Sequence, residues 1–144
     1  MGLKNSLQKF LLKRPFKKKT EKEKLLSARV SKIIGQNVKN LDYYHEAFSL
    51  KIPNKTTGAK NYERLEFLGD AVLGSIISCY LYKNYPVANE GFLTQMKSKI
   101  VNRKNLNSLG EKLKLTDFIQ NGGNGNLGEN ISGNLFEAFI GALY

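Results

Sequence analysis

From Tyr62 to Asn84 the chain runs without a helix-breaking residue, in the stretch NYERLEFLGDAVLGSIISCYLYKNYP, with Asn61 placed to cap it and Pro86 to stop it. A helix of that length spans about 34 Å, the diameter of a small domain. Leu65, Phe67, Leu68, Val72 and Leu73 mark it as a core helix, yet Glu63, Glu66 and Asp70 stand among them. Positions i, i+3 and i+7 share one helical face, so these acids form a line of like charges. Burying even one unpaired carboxylate costs several kcal/mol, on the order of a large share of a domain's stability. Something must offset that cost: Arg64 or Lys99, protonation, solvent, or a divalent cation.

The remaining residues also read as helix. Leu25 to Ile34 predicts a helix closed by Gly35 and Asn37, and Leu41 to Leu50 a second. NKTTGAKN at 54–61 reads as a loop, Phe92 to Val101 and Leu106 to Leu113 as two further helices, and QNGGNGNLGEN at 120–130 as another loop. Ile131 to Tyr144 begins a last apolar helix. No stretch alternates with period two for long enough to make a strand, so the fold class is all-α. The length of 144 residues fits one domain with a single core, residues 25–144, preceded by a basic extension, residues 1–24.

Charge is the strongest bulk signal. The chain carries 23 Lys and Arg against 12 Asp and Glu, a net charge of +11. Residues 1–24 hold nine of the bases against Glu21 and Glu23, so most of the excess sits in the extension. A polyanionic partner follows, either nucleic acid or an anionic membrane surface; the alternative is a solvated arm that only aids solubility. Leu3, Leu7, Phe10 and Leu11 share a face with Lys4, Lys9 and Lys13 around it, but Pro15 and the KKKT run favour a mobile arm over a membrane-surface helix. No apolar run is read as a membrane span and no membrane partner is expected. Cys79, the one cysteine, cannot form an internal disulfide and reads as buried helix, which fits a reducing cytoplasm.

A second element bears on the acids. The last helix, ISGNLFEAFIGALY, carries Asn134 and Glu137 at i and i+3, and each of the two helices holds a small residue, Gly69 or Gly141, that permits close approach. If the two faces meet, Glu66, Asp70, Asn134 and Glu137 make a hard-oxygen cluster suited to Mg²⁺ or Mn²⁺. An ion-pair network would produce the same spacing, and from spacing alone both readings stand. His45 is the only histidine, which excludes a mechanism built on a histidine pair.

ERLEFLGDAVL at 63–73 resembles the signature of the ribonuclease III family of double-stranded-RNA endonucleases, and NLFEAFIGALY at 134–144 resembles its second element. The spacing of the intervening pieces, including NEGFLTQMKSKIVN at 89–102, is similar as well, and the resemblance covers roughly residues 25–144. It implies the helical bundle of that family's endonuclease domain. It implies Glu66, Asp70 and Glu137 as metal-binding and catalytic carboxylates using Mg²⁺, with Mn²⁺ as substitute, and Glu63 and Glu90 as supporting acids near the RNA cleft. Phe67 matches a residue at the family's homodimer interface; otherwise it reads as a core aromatic. The implied activity is hydrolysis of double-stranded RNA to 5′-phosphate and 3′-hydroxyl ends by a cytoplasmic homodimer, in rRNA or mRNA processing. Lys97, Lys99, Arg103 and Lys104 are candidates for the RNA path or for a solvated helix face. The Gly/Asn loop at 121–128 reads as a connector rather than an RNA contact.

Three positions depart from the family pattern. Asn134 stands where the family usually has a metal-ligating Asp, and its amide oxygen can ligate without contributing charge. Metal affinity is expected to fall about 10–100-fold. A catalytically impaired member that binds RNA, or serves as a structural part of a ribonucleoprotein, is therefore the alternative function. AFSLKI at 47–52 replaces a segment that usually contains a Thr-His pair, with Leu50 at the His position. Finally, Tyr144 falls mid-helix where the family continues into a double-stranded-RNA-binding domain, so a shortened endonuclease domain is expected.

Overall fold

A computed structural model of the chain describes residues 19–38, 40–50, 61–120 and 127–144, and these form six α-helices and one 3₁₀ turn with no strand among them. The helices are α1 (Glu21–Ile34), α2 (Asp42–Ala47), α3 (Glu63–Asn84), α4 (Glu90–Ile100), α5 (Arg103–Lys112) and α6 (Ile131–Leu143), with the 3₁₀ turn at Leu115–Phe118. The amphipathic pattern of residues 3–13, Lys17 and Lys18 of the KKK run, the loop at 54–60, the end of AFSLKI and most of the Gly/Asn loop lie outside the described residues.

The described residues fall into two compact units divided after Val38. The first holds α1, which begins four residues before the expected start at Leu25. The reason is a capping box: Thr20 Oγ1 accepts the Glu23 N–H at 3.2 Å, and the Glu23 carboxylate accepts the Thr20 N–H at 2.6 Å. Gly35 ends it in the left-handed region at φ 72°, where glycine alone avoids a Cβ penalty.

In the second unit the two helices expected to be core share that role unequally. The central element is α6, which packs against α2, α3, α5 and the 3₁₀ turn. Leu135 and Ala138 are fully buried, and Ser132, Gly133, Glu137, Phe139 and Gly141 nearly so. Helix α3 buries only Leu65, Gly69 and Leu81, and the rest of its length is partly or fully exposed. Cys79 is exposed rather than buried. Phe67 is 82% exposed, so it is no core aromatic. The core proper lies around α6. Phe48 stacks on Phe118 with ring centroids 4.9 Å apart, Tyr44 tilts against Phe139 at 5.9 Å, and Leu115 and Leu135 fill the centre. Each such side chain contributes roughly 1.5–3 kcal/mol on burial.

By length and composition α3 is apolar enough to cross a bilayer, which corrects the reading that no stretch approaches a span. Its acids and its packing on α6 match the long helix of a bundle instead. Asn61 acts one residue away from the cap position: its Oδ1 accepts the Glu63 N–H at 2.9 Å while Tyr62 is the boundary residue. The contact that positions the acids is between α3 and α6. A methyl group at Gly69 would overlap the Glu137 carbonyl, and one at Gly141 would overlap the Leu65 carbonyl, so the backbones touch where only glycine permits it.

Candidate active site

The Gly69 contact delivers the chemistry. Glu66 and Asp70 flank that glycine on α3, and the backbone it touches is that of Glu137 on α6. Glu137 is only 5% exposed, a carboxylate carried inside the bundle by its own helix; Glu66 is half-buried, and Glu63 and Asp70 are exposed. Burial holds the Glu66 carboxyl above its ordinary range, the Arg103 guanidinium pulls it back down, and Glu63 and Asp70 push it up. Glu137 is raised by the same burial, lowered by Arg103, and raised by Asp70 and Glu66. Four acids on two helices thus share one electrostatic field.

The cation inside that field is Arg103, the first residue of α5, and not Arg64 or Lys99. Asn102 caps α5 by accepting the Asn105 N–H at 2.9 Å, which sets the direction in which Arg103 leaves the helix. One Arg103 Nη donates to Asn134 Oδ1 at 2.6 Å and lies 3.7 Å from Glu137 Oε2. The first contact is a hydrogen bond, and the second is Coulombic attraction without one. From sequence, Arg103 is only one of four basic candidates for an RNA path. Its approach to Asn134, across 31 positions of chain, carries no local signal.

Of the four residues expected to meet, Glu66, Asp70 and Glu137 act on one another electrostatically, and Arg103 reaches both Asn134 and Glu137. Among the described residues no three acidic, histidine or cysteine side chains converge on one point able to hold a metal ion. The donor chemistry nonetheless fits a hard divalent cation. Glu66 and Glu137 are partly desolvated, Asp70 adds to the repulsion between them, an amide oxygen completes the set, and a positive group already sits against two of its members. Glu90 opens α4, where its carboxylate accepts the Thr94 hydroxyl at 2.6 Å.

Comparison with known proteins gives this geometry a family. The sequence pattern of the Ribonuclease III domain matches residues 63–144, which contain all of α3 to α6. Ribonuclease 3 of Flavobacterium psychrophilum is 45% identical over 130 residues, 88% of this chain and 53% of that protein. Ribonuclease 3 of Zunongwangia profunda is 50% identical over 117 residues, 78% of this chain and 48% of that one. The chain therefore spans about half the length of the curated relatives it matches. Among solved structures, the nuclease domain of ribonuclease III from Campylobacter jejuni superposes with a TM-score of 0.68 at 28% identity, covering 80% of this chain and 82% of that one. With the two-helix acidic site in place and the match running through both of its motifs, the chain belongs to the ribonuclease III family.

Proposed function

We propose that the chain is the endonuclease domain of an enzyme that hydrolyses phosphodiesters of double-stranded RNA, leaving 5′-phosphate and 3′-hydroxyl ends. One observation carries the reading: the glycine-mediated contact of α3 with α6 puts Glu66, Asp70 and Glu137 in a common field inside a chain of this family. Glu66, Asp70, Asn134 and Glu137 would hold the divalent cation, Mg²⁺ or in its place Mn²⁺, with Asp70 and Glu137 as the catalytic carboxylates. Bound there, the cation supplies a Lewis acid for the scissile phosphate and activates water. The chain's own residues hold the site in register, keep Glu137 out of bulk water, and offer Lys97, Lys99, Arg103 and Lys104 to the RNA phosphates, while Glu63 and Glu90 shape the acidic margin. Duplex RNA is read mainly by shape, through phosphates and 2′ hydroxyls, and these cations would meet the phosphates.

Self-association belongs to the same proposal. Phe67, Tyr80 and Tyr82 stand exposed on α3, and the Campylobacter jejuni nuclease domain has a region involved in dimer formation. A homodimer would set two sites along one duplex and cut both strands with a stagger. The role is rRNA or mRNA processing in the cytoplasm.

The Arg103 contact favours one alternative, a member that binds RNA without cutting it, because Asn134 is engaged by the chain's own cation. Incubating duplex RNA with the protein and Mg²⁺ separates the two. The enzyme reading requires cleavage that disappears in Asp70→Asn and Glu137→Gln. A gel shift without cleavage under Mg²⁺ or Mn²⁺ decides for the binding reading.

A further inference from the structure

Asn134 Oδ1 and Glu137 Oε2 are two of the oxygens assigned above to a divalent cation, and both face the guanidinium of Arg103. The guanidinium held at 2.6 Å takes up one lone pair of the amide oxygen and competes with a doubly charged ion for that oxygen. Two cations drawn to the same pair of oxygens repel each other, so the guanidinium and a divalent ion compete for them. The arrangement also gives the arginine somewhere to go. Its backbone is pinned by the Asn102 cap, but its side chain is 49% exposed, so rotation about its own bonds carries it into solvent without unfolding anything.

We propose that Arg103 is the site's built-in counter-ion: it closes on Asn134 and Glu137 while no divalent cation is bound and must swing outward before one enters, so that it sets the metal affinity. The inference rests on the metal-site reading above and adds to it a competitor that belongs to the chain itself. Arg103 is here a positioning residue, acting through the two ligands it covers. The unliganded cluster is a set of acids that repel one another, and Arg103 is the cation that offsets part of that repulsion. An affinity reduced in this way equals the intrinsic affinity multiplied by the open fraction, so a lock favoured tenfold over the open form weakens binding about tenfold.

The test is Mn²⁺ binding to the intact chain, followed by loss of the free-ion electron paramagnetic resonance signal, with no RNA present. Arg103→Gln should bind Mn²⁺ about tenfold more tightly than wild type, and Arg103→Lys, which keeps the charge but loses the fork, should fall between them. Lys104→Gln removes the same charge from the next residue and should change affinity less than about twofold. Thermal melting without metal should show Arg103→Gln below wild type, with the gap closing at saturating Mn²⁺. The inference is overturned if Arg103→Gln binds no tighter than wild type, or if Lys104→Gln gains as much. When wild-type binding is nonetheless abolished by Glu137→Gln, the metal site survives and only the counter-ion falls. Absence of Mn²⁺ binding by wild type and Arg103→Gln alike overturns both the metal reading and this one.

Discussion

Glu137 shows how one residue links folding to chemistry. Burial raises its folded-state pKa above the unfolded value, with Asp70 and Glu66 adding to the rise and Arg103 opposing it. The protonated form is therefore favoured by folding. Its stabilising contribution is complete below the unfolded carboxylate range and is lost as pH rises through the folded pKa. In metal-free buffer Glu137→Gln should unfold above wild type at pH 7, and the difference should vanish by about pH 4, as thermal melts across that range would show. At Asn134, substitution by Asp adds a charged oxygen to the donor set and should tighten Mg²⁺ binding about 10–100-fold, measured calorimetrically. At Gly69 the geometry allows no side chain. Gly69→Ala drives a methyl group into the Glu137 carbonyl and should cost about 1–3 kcal/mol or more in denaturant unfolding, because α3 and α6 must part. Glu66, Asp70 and Glu137 are legible as candidates from spacing alone. The part played by Arg103 is not, since nothing near it in sequence points to Asn134.

At the scale of elements, α3 is legible as a helix but not for what it buries. An apolar composition says that surface must be covered, and it does not say by what. Within the second unit α6 takes the centre, and α3 presents Phe67, Ile76, Tyr80 and Tyr82 outward. If that face is where two copies meet, Phe67→Ser should shift sedimentation toward monomer. Its effect on the monomer's own unfolding should stay within about 0.5 kcal/mol, since the side chain is largely in solvent within its own chain. Sequence signals place the caps one residue or one turn off. The Thr20–Glu23 box is hidden because the run of lysines beside it reads as an unfolded arm, although a reciprocal pair of hydrogen bonds needs only four residues to form.

For the whole molecule, net charge is the property that acts at a distance. Much of the +11 belongs to residues 1–24, ahead of the family-matched region. If that extension touches phosphates, deleting residues 1–24 should flatten the dependence of log Kd for duplex RNA on log salt, by roughly one unit for each phosphate no longer neutralised. An unchanged slope would leave the extension a role in solubility alone. The measurement is independent of cleavage, so it holds for either reading of the site.

Helical class and the lines of acids are written in the sequence, because each is a matter of residues within a few positions of one another repeating at a period of 3.6, and the family is written in the two motifs that resemble it. The burial of α6 in preference to α3, and the closure of Arg103 on Asn134 and Glu137, are decided only by the tertiary structure. Both depend on which surfaces meet across long stretches of chain, and a meeting set by two glycine backbones in contact leaves no periodic trace in either segment.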